Sequence, residues 1–242
     1  MSTPNSSLAV VTDIEGTTTA LSFVKDGLFP IARRHLPGFV ARHRDDPEVR
    51  RILAETARES GKDPQDEDAL VAQLLAWIDE DRKIAPLKSL QGLIWAEGYD
   101  SGELKGHIYP DAAQGLRRWH DAGIGIYIYS SGSVTAQKLI FGHSDHGDLT
   151  PLLSGYFDTR TGPKLESRSY GLIAKAIGLP ASRLLFLSDH PGELDAARAA
   201  GWRTAWLNRD NQPSPTDFLH PVFSDFTAID PAALAGSPPP AG

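Results

Sequence analysis

No cysteine occurs in the 242 residues. That excludes disulfides, thiolate nucleophiles and thiolate-bound metals, and it fits a protein of the reducing cytosol. No apolar run approaches the roughly 20 residues that a membrane span needs. The opening MSTPNSS has neither a basic region nor an apolar core, so no signal peptide is expected there. A basic excess is also missing: 24 Lys and Arg stand against 31 Asp and Glu, a formal net charge of −7. That balance argues against a nucleic-acid partner, yet one local cation suffices for a small anion. The phosphate loop GxxxxGK[ST] is absent, which argues against a nucleotide site of that type. No internal repeat of useful length is present.

What remains is an ordinary globular composition, 40% apolar and 23% charged, with enough chain for one large domain or two small ones. Residues 8–12 are apolar and partly β-branched, and read as a buried strand. From residue 23 to residue 105 the texture is helical. Leu70, Leu74 and Ile78 share one face there, with Val71 and Leu75 beside them, and Leu87, Leu90 and Ile94 make a second stripe. Asp45-Asp46-Pro47 reads as a helix start and Ser60-Gly61-Lys62-Asp63-Pro64 as a break. Beyond residue 106 strands and helices alternate: helix 111–121, strand 124–129, a helix capped by Ser133, helix 166–177, strand 183–187, a helix opened by Pro191, and strand 203–207. An edge strand is expected within VFSDF, residues 222–226. This order predicts an α/β fold, a Rossmann-like doubly wound parallel sheet with helices on both faces. The expected domains are a discontinuous core, 1–22 with 106–242, and an inserted helical cap, 23–105; the polar 1–7 and Pro/Gly-rich 236–242 are expected to be disordered tails.

In such sheets ligands bind beyond the carboxyl ends of the strands. Three of the expected strands end in polar residues: Asp13, Ser130-Ser131 and Ser188-Asp189. Two acids as close as Asp13 and Glu15 repel at the end of a buried strand, so a compensating metal ion is expected. Asp13 and Asp189, brought together, supply hard oxygen ligands for magnesium. The hydroxyls and N–H groups of Ser130, Ser131 and Gly132, with a helix start behind them, suit a phosphate. Lys164, after Gly162-Pro163, reads as a mobile loop cation for a phosphoryl oxygen or for the acids. Together these parts make a phosphoryl-transfer site, with Asp13 as nucleophile and Glu15 as acid and base.

Other residues carry blander readings. His143 and His146 lie at a helix end without cysteine partners and read as solvated turn residues. The five tryptophans read as core or cap anchors, and Arg33-Arg34 and Arg50-Arg51 as exposed helix faces.

With Asp13, Ser130, Lys164 and Asp189 in this order, the chain resembles the haloacid dehalogenase superfamily of phosphatases. The usual phosphatase there has Asp-x-Asp; here the second acid is Glu15. DIEGTTT resembles one branch, the enolase-phosphatases of methionine salvage (acireductone synthases). FVKDGLFP (23–30), LKSLQGLIW (87–95), IYIYSSGSVTAQKLIFGHS (126–144) and YFDTRTGPKLESRSY (156–170) are similar to the same branch. The resemblance implies one magnesium ion per chain and a two-step reaction. The substrate it implies is 2,3-diketo-5-methylthiopentyl 1-phosphate, enolised and then dephosphorylated to acireductone, 1,2-dihydroxy-3-keto-5-methylthiopentene. It implies that Asp13, Glu15 (through its backbone carbonyl) and Asp189 hold the metal, that Ser130, Ser131 and Gly132 hold phosphate, and that Lys164 binds substrate. A cytoplasmic monomer without nucleic-acid or membrane partners is expected. Lys88, Gln91 and Trp95 of the helical block are candidate substrate contacts. Glu193, four residues after Asp189, fits the spacing of a second acid and is expected to act only indirectly. Two other readings stay open: a phosphatase of the same superfamily acting on a sugar phosphate, and a non-catalytic phospho-ligand binder.

Overall fold

The computed structural model describes residues 7–214 and 218–236. Apart from Ser7 and Gly236, the expected tails 1–7 and 236–242 lie outside those residues. The chain divides into two compact units, Ser22–Lys105 and Met1–Leu21 with Gly106–Gly242.

The first unit is helical. Wide π-type turns over Phe23–Leu28 run straight into α1 (Phe29–Arg42), followed by α2 (Pro47–Ser60), α3 (Glu67–Asp79) and α4 (Ala85–Asp100). The sequence punctuation acts as its chemistry dictates. The Asp46 carboxylate accepts the N–H groups of Glu48 and Val49 to start α2, and Gly61, at φ +69°, ends it in the left-handed conformation. Asp66 caps α3 through the Ala69 N–H. The core joins Leu36 and Val40 of α1, Ile52 of α2, Leu74 and Trp77 of α3, and Leu87, Leu90 and Ile94 of α4. On α3 Leu70, Leu74 and Trp77 are buried, and Ile78, half-buried at the edge of the expected stripe, packs against the same core with Val71 and Leu75. Seven residues make nearly two whole helical turns, and an eighth overshoots the face.

The second unit is built on six parallel strands: β1 (Ala9–Thr12), β2 (Gly125–Tyr129), β3 (Gly155–Phe157), β4 (Leu184–Ser188), β5 (Arg203–Leu207) and β6 (Val222–Phe223). Their order is β3-β2-β1-β4-β5-β6. The chain builds outward from β1 to β3, then returns to the other side of β1 for β4. That reversal puts the topological switch point beside β1. The helices of this unit are α5 (Pro110–Asp121), α6 (Val134–Gly142), α7 (Ser167–Ile177), α8 (Pro191–Ala199) and the short α9 (Pro231–Gly236). On one face Val11, Tyr129 and Phe186 pack against Tyr170 and Ile173 of α7 and Leu194 of α8. Tyr170 meets Phe186 and Tyr129 edge to face, at centroid distances of 5.2 and 5.7 Å. Each such buried ring contributes about 1.5–3 kcal/mol. α5 packs against β2 outside that cluster. β3 was not anticipated, and the edge strand expected within 222–226 shortens to two residues. All five tryptophans are buried. Among the described residues no helix is long and apolar enough to cross a membrane.

Candidate active site

The stretch after β1 closes into a turn wound on one carbonyl. Ile14 O accepts the N–H groups of Thr17, Thr18 and Thr19 at 3.2, 2.9 and 2.9 Å. Gly16 sits at φ +70°, a conformation that costs a glycine little. The three threonines are fully buried, each with its own partner. Thr17 Oγ1 accepts the Asp189 N–H at 3.0 Å, Thr18 Oγ1 bonds back to the Asp13 and Ile14 carbonyls, and Thr19 Oγ1 meets His107 Nδ1 at 2.9 Å. Arg209 secures the turn from behind. Its Nε donates to Thr17 O, its two terminal nitrogens clasp the Asp111 carboxylate, and its guanidinium lies 3.8 Å from the Tyr109 ring centroid.

Asp13 and Asp189 stand just past the carboxyl ends of the neighbouring strands β1 and β4, and Asp13 N donates to Leu187 O at 2.9 Å. Lys164 joins them. Its Nζ lies 2.7 Å from Asp13 Oδ1 and 2.6 Å from Glu193 Oε2. Its side chain is only 9% exposed, so the mobile loop cation expected from sequence is instead a fixed, buried one. Three hydroxyls explain this: Tyr129 donates to Gly162 O, Ser169 to Pro163 O and Tyr170 to Lys164 O, at 2.9, 2.7 and 2.8 Å. Three successive carbonyls are thereby hydrogen-bonded to side chains of β2 and α7, which hold the loop that carries the lysine. Burial lowers the Lys164 pKa, but the charges of Asp13 and Glu193 outweigh it and hold the ammonium above its ordinary value.

Glu193, the first-turn acid of α8, reaches the group through Lys164, an arrangement compatible with the indirect role expected of it. It also accepts the Ser188 hydroxyl at 3.0 Å. Its four-residue offset from Asp189 was the available signal; its contact with Lys164 is tertiary. Asp189 does not cap α8. The residue before that helix is His190, and the Asp189 carboxylate turns towards Gly16, where an added Cβ would lie 2.1 Å from Oδ2.

Burial first, and then the Asp13 charge, push the Asp189 pKa up to about 7. A hard divalent cation between the two carboxylates would offset both costs, and carboxylate oxygens are the donors such ions prefer. Among the described residues no three His, Cys, Asp or Glu side chains gather as a metal site. The half-buried Glu15 side chain does not join Asp13 and Asp189 in such a group among the described residues.

Ser130, Ser131 and Gly132 follow β2 and lead into α6, whose cap is Ser133, accepting the Ala136 N–H at 3.2 Å. Ser130 is buried and takes the Gly132 N–H on its Oγ at 3.1 Å. Three other candidates lie on α4. Gln91 and Trp95 are buried, Lys88 is half-buried, and the Trp95 indole donates to Leu28 O inside the helical unit. His146 is not a freely solvated residue: its Nε2 bonds Ile108 O at 2.9 Å.

A family model of haloacid dehalogenase-like hydrolases matches residues 8–201. The enolase-phosphatase E1 of Pseudomonas aeruginosa is 58% identical over 221 residues, covering 91% of this chain and 97% of that protein. The enolase-phosphatase E1 of Azotobacter vinelandii is 55% identical over 225 residues, 93% of this chain and 98% of that one. Among solved structures, the UTR4 protein of Saccharomyces cerevisiae is similar at 37% identity and a TM-score of 0.79, over 93% of this chain and 100% of that chain.

Proposed function

As the chain belongs to the enolase-phosphatase E1 family of haloacid dehalogenase-like hydrolases, we propose that it converts 2,3-diketo-5-methylthiopentyl 1-phosphate to acireductone and phosphate in methionine salvage. The observation that carries the chemistry is the buried Lys164 ammonium between Asp13 and Glu193, beside Asp189 at the next strand end. The cofactor is one magnesium ion, held by Asp13, Asp189 and the Glu15 backbone carbonyl. When bound it supplies positive charge for the developing enolate and for the phosphoryl oxygens.

The residues divide the work. Lys164 faces the carbonyl side of the substrate and stabilises negative charge on the C2 oxygen as a proton leaves C1, and that oxygen takes up a proton to complete the enol. Ser130, Ser131 and Gly132 hold the phosphate. The described bonds to the Asp13 carboxylate, from Ile14 N–H and Lys164 Nζ, both fall on Oδ1 at 2.7 Å. Oδ2 is then the oxygen that attacks phosphorus. As the Asp13 O–P bond forms, the P–O bond to the enol breaks, and Glu15 gives the leaving oxygen its proton. Glu15 then takes a proton from water, which hydrolyses the aspartyl phosphate and frees Asp13. The unit Ser22–Lys105 is the proposed cap domain. The reading extends to a monomer in the cytoplasm, which the lack of cysteine supports.

The test follows enol absorbance and free phosphate together on the diketone phosphate with magnesium. Both signals, stopped by a chelator, are expected. Phosphate without an enol signal would make the chain a phosphatase of another substrate. A protein that binds phosphate esters but turns none over would be a binding module.

A further inference from the structure

Gln137, on α6, is 1% exposed. Its amide nitrogen donates to two carbonyls, Gly132 O and Phe157 O, both at 2.9 Å. Phe157 O, at the end of β3, also accepts the Ser130 N–H at 3.2 Å. One side-chain amide thus ties down both ends of Ser130-Ser131-Gly132, one directly and one through a shared acceptor.

The two acceptors fix which way the amide faces. Turned end for end, it would set Oε1 against two carbonyl oxygens. The cost falls on Oε1, which is buried without a hydrogen-bond partner among the described residues. An orphaned buried acceptor is destabilising. A methionine of similar volume would remove that cost together with the two bonds, so the changes offset and the net stability the amide confers is small. What the amide secures is the shape of the loop. The Gly132–Ser133 peptide is trans, so fixing the Gly132 carbonyl towards Gln137 turns the Ser133 N–H the opposite way, away from that side chain.

We propose that Gln137 is a positioning residue for anion binding: it holds Ser130, Ser131 and Gly132 in the phosphate-receiving shape before a ligand arrives. The proposal rests on the reading of that loop as the phosphate site. The test titrates inorganic phosphate, with magnesium present, into the full chain and follows the thermal midpoint, which rises with bound ligand according to its affinity. Gln137→Met removes both donors, and its Kd for phosphate is expected to rise about tenfold with little change in the ligand-free midpoint. Thr204→Val breaks the buried bond from Thr204 to His220 elsewhere in the unit. It should lower the midpoint and leave phosphate affinity unchanged, which separates loop positioning from general loosening. Gln137→Glu adds a second signature and serves where the methionine variant does not fold. A neutral carboxyl still donates one hydrogen bond, whereas a carboxylate repels both carbonyls. Its Kd relative to the wild type should therefore climb with pH. Unchanged phosphate affinity in both Gln137 variants would overturn the proposal. A wild type that binds no phosphate would overturn the reading of the loop itself, and the proposal with it.

Discussion

In the helical unit Arg33 pairs with Asp79 and Arg42 with Glu97, and about half of each side chain stays in water. In the α/β unit Lys164 sits between Asp13 and Glu193 with 9%, 7% and 13% of their side chains exposed. The chemical pairing is the same, and the surroundings make it two different things. Exposed pairs gain little, because water already solvates each ion and salt screens the attraction. Buried ions have given up their water, so each depends on its partner. The helical unit is therefore held by its apolar seam, and its charges decorate it. The α/β unit concentrates charge where stability gains least from it and where phosphoryl chemistry needs it.

The comparison can be broken or sharpened by substitution. Asp13→Asn should show the largest effect, lowering phosphate release by at least about 10³-fold while the circular dichroism spectrum stays native; appreciable turnover would remove Asp13 as nucleophile. Lys164→Met comes next. It strands Asp13 and Glu193, and should lower the melting temperature by roughly 10 °C near pH 8. A loss of only a degree would put the buried cluster on the same footing as the surface pairs. The pH profile of the metal-free wild type is a smaller effect. The Asp189 carboxyl is raised from 3.8 to about 7, by burial and then by Asp13. The folded state thus holds a proton that the unfolded state releases, and this contribution is full below about pH 4 and is lost as pH climbs through about 7. The midpoint should fall across that window, and added magnesium should recover more near pH 8 than near pH 5. A flat profile, or an increment independent of pH, would contradict the burial of Asp189. Smallest of all is Arg42→Met in the helical unit, expected to move the melting temperature by no more than about 1 °C. A large drop there would erase the contrast.

The sequence carries the sheet because burial leaves a pattern. The apolar runs at β1, β2, β4 and β5 are legible, as are the polar residues that end three of them. β3 is not: three half-buried residues leave no period to detect. The candidate site was legible in its residue types and obscure in its state. Lys164 reads as a loop lysine because the hydroxyls that pin its loop come from Tyr129 on β2 and from Ser169 and Tyr170 on α7. Gln137 and Arg209 leave no trace, since each acts through backbone carbonyls that only the folded chain brings near. The threonines of DIEGTTT are visible as a cluster, but their separate partners are not.

The pairing of β1 also has a consequence in time. Ala9 is bonded in register with Gly125 on one side and Leu184 on the other. The strand that leads to Asp13 is therefore made well before either of its neighbours. At ordinary synthesis rates its second edge waits roughly 10–30 s for β4 to emerge. Until then one edge of an apolar strand stands open, a template for other nascent chains. Cells that make this protein quickly should find chaperone supply, rather than folded-state stability, setting the yield.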